Sequence, residues 1–448
     1  MTDTQTSSQT GYARRLTLFD ATMLVIGGII GAGIFLNPAV VAQRVPTAGV
    51  AISAWILGGA VALAGAFCFA ELAARRPLAG GGYVYLRDGF GPLPAFLYGW
   101  TQLLVINSGG IAAVAVTFAR YTVALSGRPN DHATTLIAIA AIVLLSLINY
   151  FGVRPGAVVQ NVFTVLKLAA LAGLIVVGLF LVPESAPAAG VADRGTGIVT
   201  AIGVALIPVL FAYGGWQSTN FVAEELKDTE RDLPRALVIG VVTVVLVYVL
   251  ANVVYLRTLG LEGLADSAAP AFDVMQRLAG SAGSRAITVG VVVSTFGFLN
   301  LAILASPRMY QAMAADGVFF GAAARLHPRH HVPVVALAIQ AGWAILLLST
   351  KTYERLLNYV VFGDWIFFGL VVATLFVYRR REAGAAVRFT TPGYPFVPGF
   401  FVAAAAFTVV STIKGGLGDA ALGAAIILAG IPVFYAWRRK HRSGQLRS

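Results

Sequence analysis

One cysteine in 448 residues, Cys68, excludes an intrachain disulfide and leaves the redox compartment unmarked. Charge is scarce too. Asp, Glu, Lys and Arg make up 12% of the chain, about half the share of an ordinary soluble domain. With 58% hydrophobic residues, that deficit excludes a soluble globular protein of this length. No Walker-type phosphate loop, no His-Glu-x-x-His and no cysteine pair occurs. Enzymatic activity, a cofactor and a metal site are therefore not expected. The histidines at 132, 327, 330, 331 and 441 all fall in loops or the tail, and the His327, His330, His331 group reads as solvated. The ten-residue alternation of a membrane β-strand is missing. A cleavable signal is missing as well: residues 1–17 are polar, and the segment after Arg14 and Arg15 is too long for an h-region. The first helix is expected to stay in the mature protein.

What is present is a series of long apolar runs. A span takes about 20 such residues, and twelve candidates begin near residues 18, 48, 91, 133, 155, 197, 236, 286, 332, 356, 396 and 420. The expected fold is an all-α integral membrane protein forming one transporter domain. With the N-terminus inside, roughly two-thirds of the Lys and Arg fall in cytoplasmic segments, the bias of the positive-inside rule. The chain is thus expected to be a multi-pass protein of a cell (inner) membrane with both termini cytoplasmic. Topology, not nucleic-acid binding, accounts for the net charge of +12. The basic tail Arg438-Arg439-Lys440-His441-Arg442 reads as a positive-inside anchor or a contact for anionic lipid.

Helices one to five (18–182) and six to ten (197–378) form two halves, with helices eleven and twelve (396–437) beyond them. Five spans per half place the halves in opposite orientations, the condition for an inverted repeat. Residues 79–90 and 270–279 have the composition of short interfacial helices, gate elements or lipid-interface lids. The outer loop 183–197 is rich in Pro, Ala and Gly.

Two spans carry glycine clusters at mid-depth: Gly27-Gly28-Ile29-Ile30-Gly31-Ala32-Gly33 in the first and Phe211-Ala212-Tyr213-Gly214-Gly215-Trp216 in the sixth. Interrupted helices in corresponding halves point to a transporter's binding site. A break frees N–H groups on the following half-helix, whose positive end attracts a carboxylate. Unwound carbonyls on the other span would accept from an ammonium. Together they make a receptor for a zwitterion. The competing reading of Gly27 and Gly31 is Gly-x-x-x-Gly helix packing. A β-branched side chain at Gly33 is expected to block the carboxylate position and spare folding.

Gly31-Ala32-Gly33-Ile34-Phe35 resembles the first-helix motif of the amino acid–polyamine–organocation (APC) superfamily. Phe211 to Leu226 is similar to the sixth helix of its L-type amino acid transporter branch, as is Gln160 to Lys167 to its fifth. The resemblance covers nearly the whole chain. It implies the LeuT-type five-plus-five inverted repeat with discontinuous helices 1 and 6. It also implies that Gly31, Ala32, Gly33 and Ile34 hold the substrate carboxylate and that carbonyls near Ile29, Phe211, Ala212 and Tyr213 hold the amino group, with Gly214 a further substrate-binding candidate. Phe211 would be the aromatic gate.

Lys167 lies near the middle of helix five, where a charge costs ~2.5–3.5 kcal/mol. Its ammonium is expected to bond the unwound carbonyls of helix one, and the resemblance implies that it replaces the sodium of sodium-coupled relatives. Ala305-Ser306 offers one hydroxyl where a sodium site would want two. Asp364 is the only acid well inside a span, a candidate for proton coupling or gating, and departs from the neutral residue typical of the animal branch. Trp216 is a further gate candidate, with packing as its bland reading. Asn107, Ser108 and Asn300 are candidate pocket-lining residues, with interhelical hydrogen bonding the alternative. The charged run 224–235 reads as a solvated loop or as partners for Arg14, Arg15 or Arg75 at an inner gate. The expected function is sodium-independent transport of neutral L-amino acids by exchange or proton coupling. A cationic amino acid or polyamine antiporter and a non-transporting amino acid sensor are the rivals.

Overall fold

In hydrocarbon a backbone must satisfy its own polar groups, which favours helices throughout. The computed structural model describes residues 11–125, 130–181, 197–351, 353–415 and 417–445. Most of the 183–197 loop lies outside them, as do the side chains of the basic tail from Lys440 onward.

The helices are α1 (Leu18–Ile29), α2 (Gly33–Ala42), α3 (Ala48–Arg75), α4 (Gly82–Phe90), α5 (Pro92–Thr101), α6 (Asn107–Ala124), α7 (Asp131–Tyr150), α8 (Val153–Leu181), α9 (Ile198–Ala212), α10 (Thr229–Ala265), α11 (Pro270–Ala315), α12 (Val334–Ser349), α13 (Tyr353–Arg381), α14 (Phe396–Gly415) and α15 (Leu417–Gln445). A π turn, Gln102–Ile106, joins α5 to α6, and a 3₁₀ segment, Trp216–Glu225, follows α9. Among the described residues, 11 helical stretches are long and apolar enough to span. The expected ninth span is the shorter α12, 16 residues, about 24 Å long.

Several boundaries differ from the sequence expectation for local reasons. α10 begins at Thr229, not near 236, because Glu230 and Asp232 in its first turn favour a helix start outside the lipid. The 270–279 segment is helical and continues into span eight through a kink at Gly280. The 79–90 segment contains α4.

The first span (α1 and α2) occupies the centre, with 72% of its apolar window buried, whereas the windows of the last two spans are 22% buried. α3 packs on α10, α8 on α11, and α1 against both α8 and α10.

The face where α1 begins is sealed. Arg15 and Leu16 both donate their N–H groups to Glu225 O, and Lys227 N–H returns to Leu16 O. Arg308 Nε meets Glu225 Oε1 at 2.6 Å with both side chains 1% exposed. Packing raises the Tyr12 phenol well above its ordinary pKa despite the opposing Arg308 charge, so a neutral ring faces that guanidinium at 5.9 Å. Tyr83 and Arg87 of α4 hold Asp316 at 2.7 and 2.9 Å. The partners thus differ from those the charge run suggested: Arg308 takes Glu225, exposed Arg388 takes Asp228 and Glu230, and Arg75 binds Glu71 and Glu382. Arg308→Met is expected to destabilise the protein by about 3–5 kcal/mol, since Glu225 stays buried alone. The double variant Glu225→Leu/Arg308→Met should regain most of that in thermal unfolding of detergent-solubilised protein.

Candidate functional site

Both glycine clusters end their helices. α1 stops at Ile29, Ile30 is extended, and helix resumes at Gly33. α9 stops at Ala212, and Gly215 then adopts φ +109°, a conformation open to glycine. The two breaks touch: a Cβ on Gly215 would lie 2.0 Å from Gly28 O, and one on Gly33 would lie 3.0 Å from Ala212 Cα. Bulk at Gly33 therefore presses on the α9 backbone as well as on the space beside it, so the expectation that folding is spared needs correction.

The half-helices α2 and α9 are tied together. Pro208 has no N–H, which leaves the Val204 carbonyl without its helical donor. Arg44 donates to that carbonyl at 2.9 Å, and Asn37 donates to Pro208 O at 2.7 Å.

Lys167 closes the C-terminal end of α1. Its Nζ donates to Gly27 O (3.0 Å), Ile30 O (2.7 Å) and Ser294 O (3.2 Å) and is fully buried. A cation there complements the helix dipole. Gln160, Thr164 and Lys167 lie on one face of α8, and Thr164 donates to Met23 O. Gly27 provides the close approach, because a Cβ there would strike Gln160 Nε2 at 1.9 Å. The Gly27–Gly31 pair thus divides its work: Gly27 packs on α8, while Gly31 borders the space beside the Phe298 ring, which a Cβ there would meet at 3.2 Å.

That space is a cavity of about 190 Å³. Ile29, Gly31, Ala32, Gly33, Phe211, Ala212 and Gly214 line it, with Asn107 and Asp364 opposite. The N–H groups of Ala32, Gly33 and Ile34 belong to the first turn of α2, which has no preceding helical turn to receive them. Phe35 N–H donates to Ala32 O and Gly31 N–H to Ile29 O. Phe211 is 46% exposed. Gln102 Nε2 donates to Asp364 Oδ1 at 3.2 Å.

Other candidates sit elsewhere. The Ile34 side chain is fully buried away from the cavity, so only its main chain remains near the break. Tyr213 packs on Trp55 and Tyr248. Trp216 lies behind the wall, edge-on to Phe69 at 4.9 Å. Ser108 and Asn300 do not line the cavity. Ser108 is fully buried. Asn300 is the hub of a polar network, accepting from Asn149 and donating to Gly156 O and Gln160 Oε1. The histidines His327 and His330 stack on each other and meet the Tyr150 ring edge-on and tilted.

Three features escaped the sequence reading. Tyr248 of α10 donates its hydroxyl to Ile29 O (3.0 Å) and Ala212 O (3.3 Å), bridging both breaks; a tyrosine in an apolar stretch, one of two in that helix, was its only signal. The hydroxyl beside Lys167 belongs to Ser294, which reaches Ile30 O at 3.2 Å. Ala305-Ser306 lies about three turns further along α11, so its hydroxyl count does not bear on the cation position that Lys167 fills; Thr295, next to Ser294, bonds Val291 O and Val292 O within its own helix. The π turn, closed by Asn107 N–H donating to Gln102 O, brings Gln102 to Asp364 and Asn107 to the cavity. In a regular helix, residues five apart would diverge.

This geometry can be set beside known proteins. The amino acid permease family profile matches residues 16–436. The serine/threonine exchanger SteT of Bacillus subtilis (strain 168) is 31% identical over 441 residues, covering 97% of this chain and 99% of its own. The human large neutral amino acids transporter small subunit 2 is 32% identical over 449 residues, covering 95% of this chain and 81% of its own. The human cystine/glutamate transporter is 31% identical over 438 residues, covering 96% and 87%. With its interrupted first and sixth spans meeting around one cavity, the chain belongs to the amino acid permease family.

Proposed function

We propose that the protein carries neutral L-amino acids across a cell membrane by alternating access, without sodium. The observation that carries this reading is the meeting of the two helix breaks at one cavity, with the first-turn N–H groups of α2 on one side and the α9 C-terminal carbonyls on the other. The α-carboxylate sits on the Ala32–Ile34 main chain, and the α-ammonium sits near Ile29, Phe211 and Ala212. Phe211 covers the site. The sealed face, where α1 begins, is the closed cytoplasmic gate, with both chain termini on that side. Spans one to five and six to ten act as inverted halves. Transport proceeds by exchange or with proton coupling.

Sodium independence rests on Lys167. Its ammonium already draws on three carbonyls between α1 and α11, the ligand type a hard cation would need. Uptake of labelled amino acids into proteoliposomes is expected to be unchanged when choline replaces sodium, and a strong sodium requirement would refute the proposal.

Asp364 supports a second reading. It is a carboxylate on the cavity wall, suited to a cationic side chain or a polyamine. Competition separates the two: neutral amino acids should inhibit uptake, whereas inhibition by arginine and putrescine alone would favour the second.

A further inference from the structure

A second hollow, about 650 Å³, opens on the sealed face away from the transport cavity. Its wall carries Arg14, Arg15, Arg154 and Lys227. All four side chains are exposed, and among the described residues none makes a side-chain ion pair. Asp20 is the one acid on this wall. Its carboxylate receives the Thr17 N–H (2.8 Å), the Thr17 hydroxyl (2.7 Å) and the Asn161 amide (2.6 Å), and its single charge, felt by Lys227, offsets only one of the four cations, so the wall keeps a surplus of positive charge.

Two helices begin here as well. Thr17 caps α1, and Arg154 lies in the first turn of α8. Their positive dipole ends add to the four side-chain charges. Below the hollow, Val158, Val162, Val165 and Leu166 form an exposed apolar stripe on α8. Their spacing keeps them on one helix face. A polar hollow with surplus positive charge thus continues into an apolar surface.

We infer that this hollow binds the phosphate of an anionic phospholipid headgroup, with the acyl chains lying along the α8 stripe. A bare anion would use the cations alone, whereas a phospholipid also uses the stripe. The bound lipid ties together the start of α1, the start of α8 and the segment carrying Lys227, whose N–H is already bonded to Leu16 O. It therefore stabilises the sealed face.

The test uses the full-length protein in nanodiscs of phosphatidylcholine with about one-fifth phosphatidylglycerol, a membrane in which basic side chains attract anionic lipid. Native mass spectrometry reads the retained lipid, and thermal unfolding reads its effect. The wild type should retain phosphatidylglycerol selectively and unfold at a higher temperature with it than in phosphatidylcholine alone. Each neutralised cation should weaken retention about fivefold, so Arg14→Gln/Arg154→Gln/Lys227→Gln should lose about a hundredfold. The control Arg325→Gln/Arg329→Gln removes exposed charges from the same face and should retain the lipid. If the triple variant misfolds, Arg154→Gln alone should still show its fivefold loss. Retention by the hollow variants equal to wild type, or an equal loss in the control, would overturn the proposal in favour of diffuse attraction. Displacement by glycerol 3-phosphate as effective as by phosphatidylglycerol would overturn the lipid assignment in favour of free phosphate.

Discussion

Lys167→Met is expected to lower uptake about a hundredfold per folded molecule, a change of roughly 2.7 kcal/mol in the transport barrier. Methionine fills much of the volume and remains apolar, so the substitution isolates the ammonium. Three carbonyls then lose their donor, those of Gly27, Ile30 and Ser294. A buried acceptor left without a partner costs about 1–3 kcal/mol. Ser294 retains its bond to Ile30 O and its own carbonyl lies within the helical ladder of α11, so Gly27 O, at the end of α1, is the acceptor left without a substitute. The α1 terminus also loses the cation that opposes its dipole. Because that terminus borders the cavity, the break itself should loosen. Proteoliposome uptake normalised to folded protein provides the measurement, with thermal unfolding alongside. Near-normal flux would reduce Lys167 to a structural tie.

Gly215→Ala should have the larger effect on folding, with a loss above about 4 kcal/mol and little folded protein recovered. Two penalties act independently. The residue sits at φ +109°, where a side chain is strained by about 1–3 kcal/mol. Its new methyl would also overlap Gly28 O at 2.0 Å, and both atoms belong to backbone that cannot swing aside. The neighbouring Gly214→Ala is the control. A Cβ there meets Phe211 O at 3.3 Å and needs no unusual φ, so the loss should stay near 1 kcal/mol. Yield of monodisperse protein and thermal midpoint measure both. Equal behaviour of the two variants would show that the contact between the breaks is not needed.

Those breaks were legible because glycine clusters are conspicuous in apolar runs, and Lys167 because a charge in hydrocarbon is conspicuous too. Residues whose role depends on helix rotation were not. Ser108 and Asn300 are polar residues on spans near the cavity, and sequence does not tell which way either helix turns. Ser294 was missed because its depth is set by where α11 crosses α8. That crossing is close at Gly297, where a Cβ would meet Phe163 Cβ at 2.9 Å and Lys167 Cε at 3.3 Å. The π turn left no trace, since Gln102-Leu-Leu-Val-Ile reads as ordinary apolar helix. Tyr248 acts through two carbonyls far away in the chain, a relation that only the folded arrangement reveals.

The missing amide hydrogen of Pro208 has a mechanical effect. It opens a carbonyl for Arg44, and with Asn37 at Pro208 O it makes α2 and α9 behave as one plank. At the opposite end, the Leu16–Glu225–Lys227 ladder joins α1 to the 3₁₀ segment as a second plank. The glycine turns lie along the seam between them, where only residues without a side chain let the two backbones meet.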